Sequence, residues 1–487
     1  MNVKFNGDAA NSSPVSPLFF KLDARQEYIE ITGTVSEKCI FMWYLYDPEG
    51  KLRAQSFCLG SGKTVAVTCG TGGYGTVPGP LPDGEWTIWA IFLPGKEKEQ
   101  NDQVWTLNVS YGTQEYSEAA WSREPDGKPS FVWLDPEGNV CGEYLKRCYK
   151  PEKAWYKGDF HAHTTLSDGK MTPLRIQNEA GKQGLDFYAV TDHNFIHTAW
   201  TDDRMPVLPG MELTLDQGHF NLFMKGAFPL YKEGFWRNMT FESDAVNTFL
   251  IEARKTGAVV SVNHAFMVPW EVKYEGLDTS LIDAMEIICD PTWSNSAEAA
   301  EKALKAFGIL WEHGVKVTGI GGSDIHNLPE EPYEGSHVPG KIGFPLSWVL
   351  ADELSPAALL EALRERRVCV TTGFRLDIRV RYQGNDYTAG SCIPVEDESD
   401  ISFSVSLQDT DQPYFIDIVE SGAANRAELL NRENILDFKR NWDGGYHWLR
   451  IDIRDSSGRL CGFANPVYSG NRKIEKILWG NLVELIE

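Results

Sequence analysis

Tyr156-Lys-Gly-Asp-Phe-His161-Ala-His163-Thr-Thr-Leu-Ser-Asp168-Gly169 is the stretch on which the reading of this chain turns. Tyr156 to Phe160 reads as a strand, and residues at i and i+2 on a strand leave on one face, so the two imidazoles can hold one ion. A lone pair of this kind is weak, but the pattern recurs downstream. Phe187 to Val190 ends in Thr191-Asp192-His193-Asn194, and Val207-Leu208 leads to Gly210-Met-Glu212 and then Gly218-His219. Val259 to Val262 ends in Asn263-His264, and Val315 to Ile320 ends in Gly322-Ser-Asp324-Ile-His326. Successive strands thus release His, Asp or Glu at their C-terminal ends, where α/β barrels assemble their sites.

The segments between these strands read as helices with proper ends. One starts at Thr172-Pro173 and stops near Gly184; a second runs from about 244 to 256 before Gly257. A third runs from about 297 to 313 and closes at Gly314, and a fourth starts at Ser355-Pro356 and reaches Arg366. The alternation over 155–373 implies parallel strands covered by helices, in a barrel or a doubly wound sheet. Residues 1–112 read instead as all-β, with runs at 28–35, 39–46, 64–68, 86–93 and 104–111 spaced by turn signals as in a β-sandwich. Residues 113–154 form a linker with short strands, one around Asp135-Pro-Glu-Gly138. Residues 374–487 outline a second β-sandwich. The expected fold class is therefore multidomain α/β plus β.

Composition bounds the function. The 487 residues suit about three domains, and 42% apolar content supplies sizeable cores. A formal charge of −23 argues against nucleic acid and anionic membranes, which both want Lys and Arg. It leaves a small anionic substrate open, since a bound metal reverses the local sign. Met1 to Pro17 has no apolar signal region, and no apolar run reaches the length of a membrane span. Nine irregularly spaced cysteines read as reduced thiols, which suits a cytoplasmic protein. Gly60-Ser-Gly-Lys-Thr64 lacks the first glycine of a P-loop and runs into a strand. Gly70-Thr-Gly-Gly-Tyr-Gly75 is followed by prolines, so both read as hairpin loops without a nucleotide.

Imidazole and carboxylate without thiolate suit one to three catalytic Zn, Mn or Fe ions, and Glu212 can bridge two of them. Such ions hold hydroxide at neutral pH and stabilise oxyanions, so the chemistry implied is hydrolysis. HAHTTLSDG, TDHN, GME, NH and GGSDIH, in this order, resemble the PHP (polymerase and histidinol phosphatase) superfamily of metal-dependent phosphoesterases. Tyr156-Lys-Gly-Asp-Phe-His161, Gly218-His-Phe-Asn221 and Ala464-Asn-Pro-Val467 look most like its CehA/McbA-like branch. The resemblance implies a distorted (β/α)7 barrel at 155–373. One ion would take His161, His163, Glu212 and Asp324, a second Glu212 and His264, a third Asp168, His193 and His326. Relatives supply a further His or Cys to the second ion, after the strand that here reads Ala284 to Cys289; no histidine follows it, and Cys289 reads as ordinary burial.

Besides Glu212, His219 is the catalytic candidate, as a substrate contact or proton donor to the leaving group. His197 could reach the pocket mouth, Asp192 reads as a structural acid, and His313 as a helix-end cation. Arg204, Lys225, Lys341 and Arg375 lie near strand ends, where a phosphate would welcome one of them. The expected activity is a metal-dependent phosphoesterase on a small substrate. A carboxylic ester, carbamate or amide hydrolase with the same metals is the nearest alternative. A non-catalytic carbohydrate- or protein-binding protein is the other.

Overall fold

In the computed structural model, the strand carrying Tyr156 to Asp159 lies in the middle of one long mixed sheet. The structure describes all residues except 1, 9–14, 71, 94–102, 115, 117–125, 128, 130, 135–137, 216, 227–242, 334–335, 411, 421–425, 430–433 and 487. The expected turn at 135–138 lies largely outside the described residues.

The strand Ala154–Asp159 pairs in parallel with Phe187–Val190, which pairs in parallel with Val207–Leu215. There the alternation breaks. Val207–Leu215 turns straight back as Gly218–Phe223, antiparallel to it, and that strand is antiparallel to Val259–Val262. Ala284–Cys289 and Thr318–Gly322 then continue in parallel. On its other side Ala154–Asp159 pairs antiparallel with Leu346–Ala351, and that strand with Val368–Thr371. The expectation of an all-parallel sheet is thus corrected: a hairpin and two antiparallel neighbours make it mixed, because the short Leu215–Gly218 connection leaves no room for a crossover helix.

The sheet curls so that its end strand Thr318–Gly322 meets the central strand Ala154–Asp159. Ala162 and Ile325 form a parallel bridge; His163 N–H donates to Ile325 O at 3.1 Å and Asp324 N–H to His161 O at 2.9 Å. Helices Pro173–Lys182, Ser243–Lys255, Ser296–Glu312 and Pro356–Arg364 follow the expected ranges, and two of them carry side-chain caps. Thr172 Oγ1 accepts from Arg175 N–H at 3.2 Å, and Ser355 Oγ from Ala358 N–H at 3.2 Å, each with Pro at the first helical position. None of the described helices is long and apolar enough to cross a membrane.

Before residue 113 the chain forms two four-stranded antiparallel sheets. Their orders are Asn2–Asp8, Val104–Gly112, Tyr28–Val35, Lys63–Thr68 and Val15–Leu22, Gly84–Leu93, Ile40–Tyr46, Leu52–Leu59. One buried cluster draws on both, including Phe20, Ile31, Phe41, Trp43, Trp86 and Trp105. Ile40–Tyr46 is buried on both faces. Phe41, Trp43 and Leu45 enter that cluster, while Met42, Tyr44 and Tyr46 enter the central core with Trp133, Ile196 and Trp200. A continuous apolar run, IFMWYLY, is what a doubly covered strand requires.

After residue 373 the long sheet continues. Leu460–Ser469 pairs with Val368–Thr371, and His447–Arg454 and Phe415–Glu420 follow it. Arg375–Tyr382, Ser399–Gln408 and Ile435–Trp442 belong to a separate four-stranded sheet over a second buried cluster. Asn465 ties the two parts together: its amide donates to Gly319 O at 2.8 Å and Val368 O at 2.9 Å, and its Oδ1 accepts from Gly319 N–H at 2.7 Å. All nine cysteines are free thiols.

Candidate metal centre

Each expected donor leaves the sheet at one end, and the curl of the sheet brings them together. His161 Nε2 lies 3.3 Å from Glu212 Oε1 and 3.2 Å from Asp324 Oδ1. His163 Nε2 lies 3.6 Å from Glu212 Oε2 and 3.1 Å from Asp324 Oδ1, and the two Nε2 atoms are 3.0 Å apart. Next to them, Asp168 Oδ1 is 3.5 Å from His193 Nε2 and 3.4 Å from His326 Nε2, with those nitrogens 3.4 Å apart. His264 Nε2 sits 3.3 Å from Glu212 Oε1.

His219 falls against Glu212, in a donor group with His193. Its Nδ1 is 3.3 Å from the same Glu212 Oε1 that His264 approaches at 3.3 Å, and the two rings lie 5.0 Å apart. Ligands about 2.0–2.1 Å from a tetrahedral ion stand roughly 3.3 Å from one another. The hairpin explains the placement: His219 is the register partner of Thr214, which shares a face of the strand with Glu212.

Glu286 was invisible to the motif reading. It stands inside the apolar strand Ala284–Cys289, where it accepts from His264 N–H at 2.9 Å and bonds His161 Nδ1 at 2.8 Å. Such a carboxylate fixes the tautomer and orientation of a ligating imidazole. The lone acid in AMEIIC was the only available signal. Gly322 is its complement, because a Cβ there would lie 2.3 Å from Glu286 Oε1 and 2.5 Å from His161 Cβ. Asn263 Nδ2 donates to Glu212 Oε1 at 2.9 Å, and Asp159 accepts from His161 N–H at 3.1 Å and Ser323 N–H at 3.0 Å. His264, Asp324 and Asn194 hold φ of 28°, 49° and 49°, a left-handed backbone that side chains adopt only where surroundings enforce it.

The electrostatics fit a cation site. Burial alone would raise the Glu212 carboxyl, yet His161, His219 and His193 hold it well below the ordinary range. For Asp324 burial is likewise overcome, by His161, His326 and His163. Burial, reinforced by His326 and His193, lowers His163 to about 4. In His326 burial is outweighed by Asp168 and Asp324, which push it up to about 10. His219 Nδ1 and Asp324 Oδ1, both facing the cluster, are buried without a hydrogen-bond partner. Facing imidazole nitrogens and orphaned buried donors are expensive unless they share a cation. The clusters His163/Asp168/His193/His326, His161/His163/Asp324 and His161/Glu212/His264 could each hold an ion.

Other candidates fall elsewhere. His197 does not reach a pocket mouth: it is fully buried, with Nε2 2.6 Å from Asp192 Oδ2. Asp192 also accepts from Thr164 N–H at 2.8 Å and Ser167 Oγ at 2.5 Å. His313 ends its helix with Nδ1 2.8 Å from Ile309 O. Arg204 pairs with Asp202 at 2.7 Å and Lys225 with Glu361 at 3.5 Å, so their charges are already engaged. Cys289, by contrast, comes within 4.8 Å of ligand atoms of His161 and Glu286, though it is buried beside Met267 and Ala299 and burial raises its thiol well above the usual range.

No family model matches the chain, and no curated protein matches it. Among solved structures, a two-domain protein from Bacteroides vulgatus, described as containing a predicted PHP-like metal-dependent phosphoesterase, is 17% identical. That likeness covers 66% of this chain and 98% of that one at a TM-score of 0.34. An amidohydrolase from Chromobacterium violaceum, with bound sulfate and no metal, is 16% identical over 43% of this chain and 96% of that one, at a TM-score of 0.24. Both likenesses are weak, and function has to be read from the donor groups themselves.

Proposed function

We propose that this chain is a metal-dependent hydrolase of small phosphate esters, of the PHP kind and its CehA/McbA-like branch. The observation that supports this most is the convergence of His161, His163, Asp168, His193, Glu212, His264, Asp324 and His326 into contiguous donor groups. Bound divalent ions would supply an activated water and neutralise charge developing on a phosphoryl group.

The chain's own residues do the rest. Glu212 is set to bridge, since Oε1 faces His161, His219 and His264 while Oε2 faces His163 and His193. His219 stands with Glu212 and His193, where it can contact substrate or give a proton to the leaving group. Glu286 and Asn263 keep His161 and Glu212 from rotating away. His161, His163 and Glu212 are buried and hold their geometry without reorganisation, while Asp168, His193 and His326 stay partly exposed.

The test compares p-nitrophenyl phosphate with p-nitrophenyl acetate in the presence of Zn2+ or Mn2+. The phosphate is expected to turn over, with loss of more than about a hundredfold in H161A and D324A. Turnover of the acetate alone would move the assignment to acyl hydrolysis. Full activity and metal content in H161A would remove it altogether.

A further inference from the structure

We infer that the N-terminal β-unit positions the two loops that carry Asp168 and His193, and so sets the affinity of the third donor group for its ion while supplying no donor. This rests on the metal reading above. The first loop is held by Lys63, at the start of Lys63–Thr68, where the chain crosses from one N-terminal sheet to the other instead of forming the expected hairpin. Its ammonium donates to Thr165 O at 2.8 Å, Leu166 O at 3.1 Å and Ser167 O at 3.3 Å, the three carbonyls immediately before Asp168.

The second loop, which follows His193, is held as closely. Tyr44 Oη donates to Asn194 O at 2.5 Å. Gln55 Nε2 donates to Ile196 O at 2.5 Å, and Gln55 Oε1 accepts from Ile196 N–H at 3.1 Å. Thr198 N–H donates to Tyr74 O at 2.8 Å, and the Phe57 ring lies 6.2 Å from the His193 ring. His193 is also bridged to Glu212, with Asn194 N–H donating to Glu212 O at 2.8 Å, so the N-terminal contacts add to a hold the sheet already has. The donors of the other groups have the sheet alone. His161, Glu212, His264 and Asp324 are fixed by the central sheet, through Glu286, Asn263 and the bridge beside Ala162.

Loops pay a conformational entropy cost when they order around an ion, and contacts that order them beforehand raise affinity. Lys63 does this while also placing a cation near the ion, so K63M moves two opposing effects. Tyr44 and Gln55 are neutral and carry the cleaner test.

Zn2+ is titrated into metal-free, full-length wild type, Y44F, Q55A and H326A, followed by calorimetry and elemental analysis. The step missing in H326A identifies the third group. Y44F and Q55A are expected to weaken that step about tenfold and leave the other steps unchanged. Amide exchange across 194–198 in the metal-free protein should quicken in both. Equal affinity at every step would overturn the inference, and so would equal weakening of every step, which would mean the contacts merely hold the fold. If Q55A does not fold, Y44F, which deletes one hydroxyl, decides. Uptake of no ion by wild type would overturn the metal reading and this inference with it; uptake by wild type with unchanged variants would overturn this inference alone.

Discussion

Glu286 shows how much of a site can rest on a residue that meets neither solvent nor substrate. It is buried at 1% exposure and bonds one imidazole while accepting from the backbone of another donor. Glu286→Gln keeps the shape but turns an acceptor oxygen into a donor, and about 10- to 100-fold loss of metal affinity is expected by calorimetry. His326 gives a second prediction. With its pKa pushed up to about 10, it is protonated at pH 7 in the metal-free protein, whereas a ligating nitrogen must be neutral. Loading an ion should therefore release a proton. The release fades only as pH approaches the raised pKa, and titrations in buffers of different ionisation enthalpy will measure it. The donors that follow strands were legible because each polar group interrupts an apolar run. Glu286 was not, since one acid inside a strand carries no spacing.

At the scale of elements, the hairpin and the Asn465 tie decide the geometry. His219 stands seven positions after Glu212 in the sequence, a separation that fits many arrangements. Only the antiparallel return, with Thr214 opposite His219, puts it on the Glu212 face. Sequence showed the helix caps at Thr172 and Ser355 directly, because a cap is a local hydrogen bond. It could not show that Leu460–Ser469 extends the central sheet, because pairing across so long a separation leaves no periodic mark. Asn465→Ala would leave Gly319 N–H and O and Val368 O unpaired, at roughly 1–3 kcal/mol each. Urea unfolding should show it among the most destabilising single changes outside the site.

For the whole molecule, the doubly buried strand Ile40–Tyr46 joins the N-terminal sheets to the central core. Deleting residues 1–112 would uncover apolar surface around Trp133, Ile196 and Trp200, and the remainder is expected to aggregate, as gel filtration will show. Chelation gives the complementary prediction. Ions that bind only the native state add about 2.7 kcal/mol at a hundred times their dissociation constant. Treatment with a chelator should therefore lower the melting temperature, and Zn2+ should restore it.

Asn465 has a consequence in time as well as in space. It bonds Gly319 from 146 residues downstream, and Gly319 lies on the strand that presents Asp324 and His326. During synthesis the strand behind Asp324 and His326 thus stays without its Asn465 tie until that distant segment has emerged and paired. A ribosome-bound or prematurely ended chain should capture its ions poorly, and metal uptake becomes a mark that the chain has been made beyond that point.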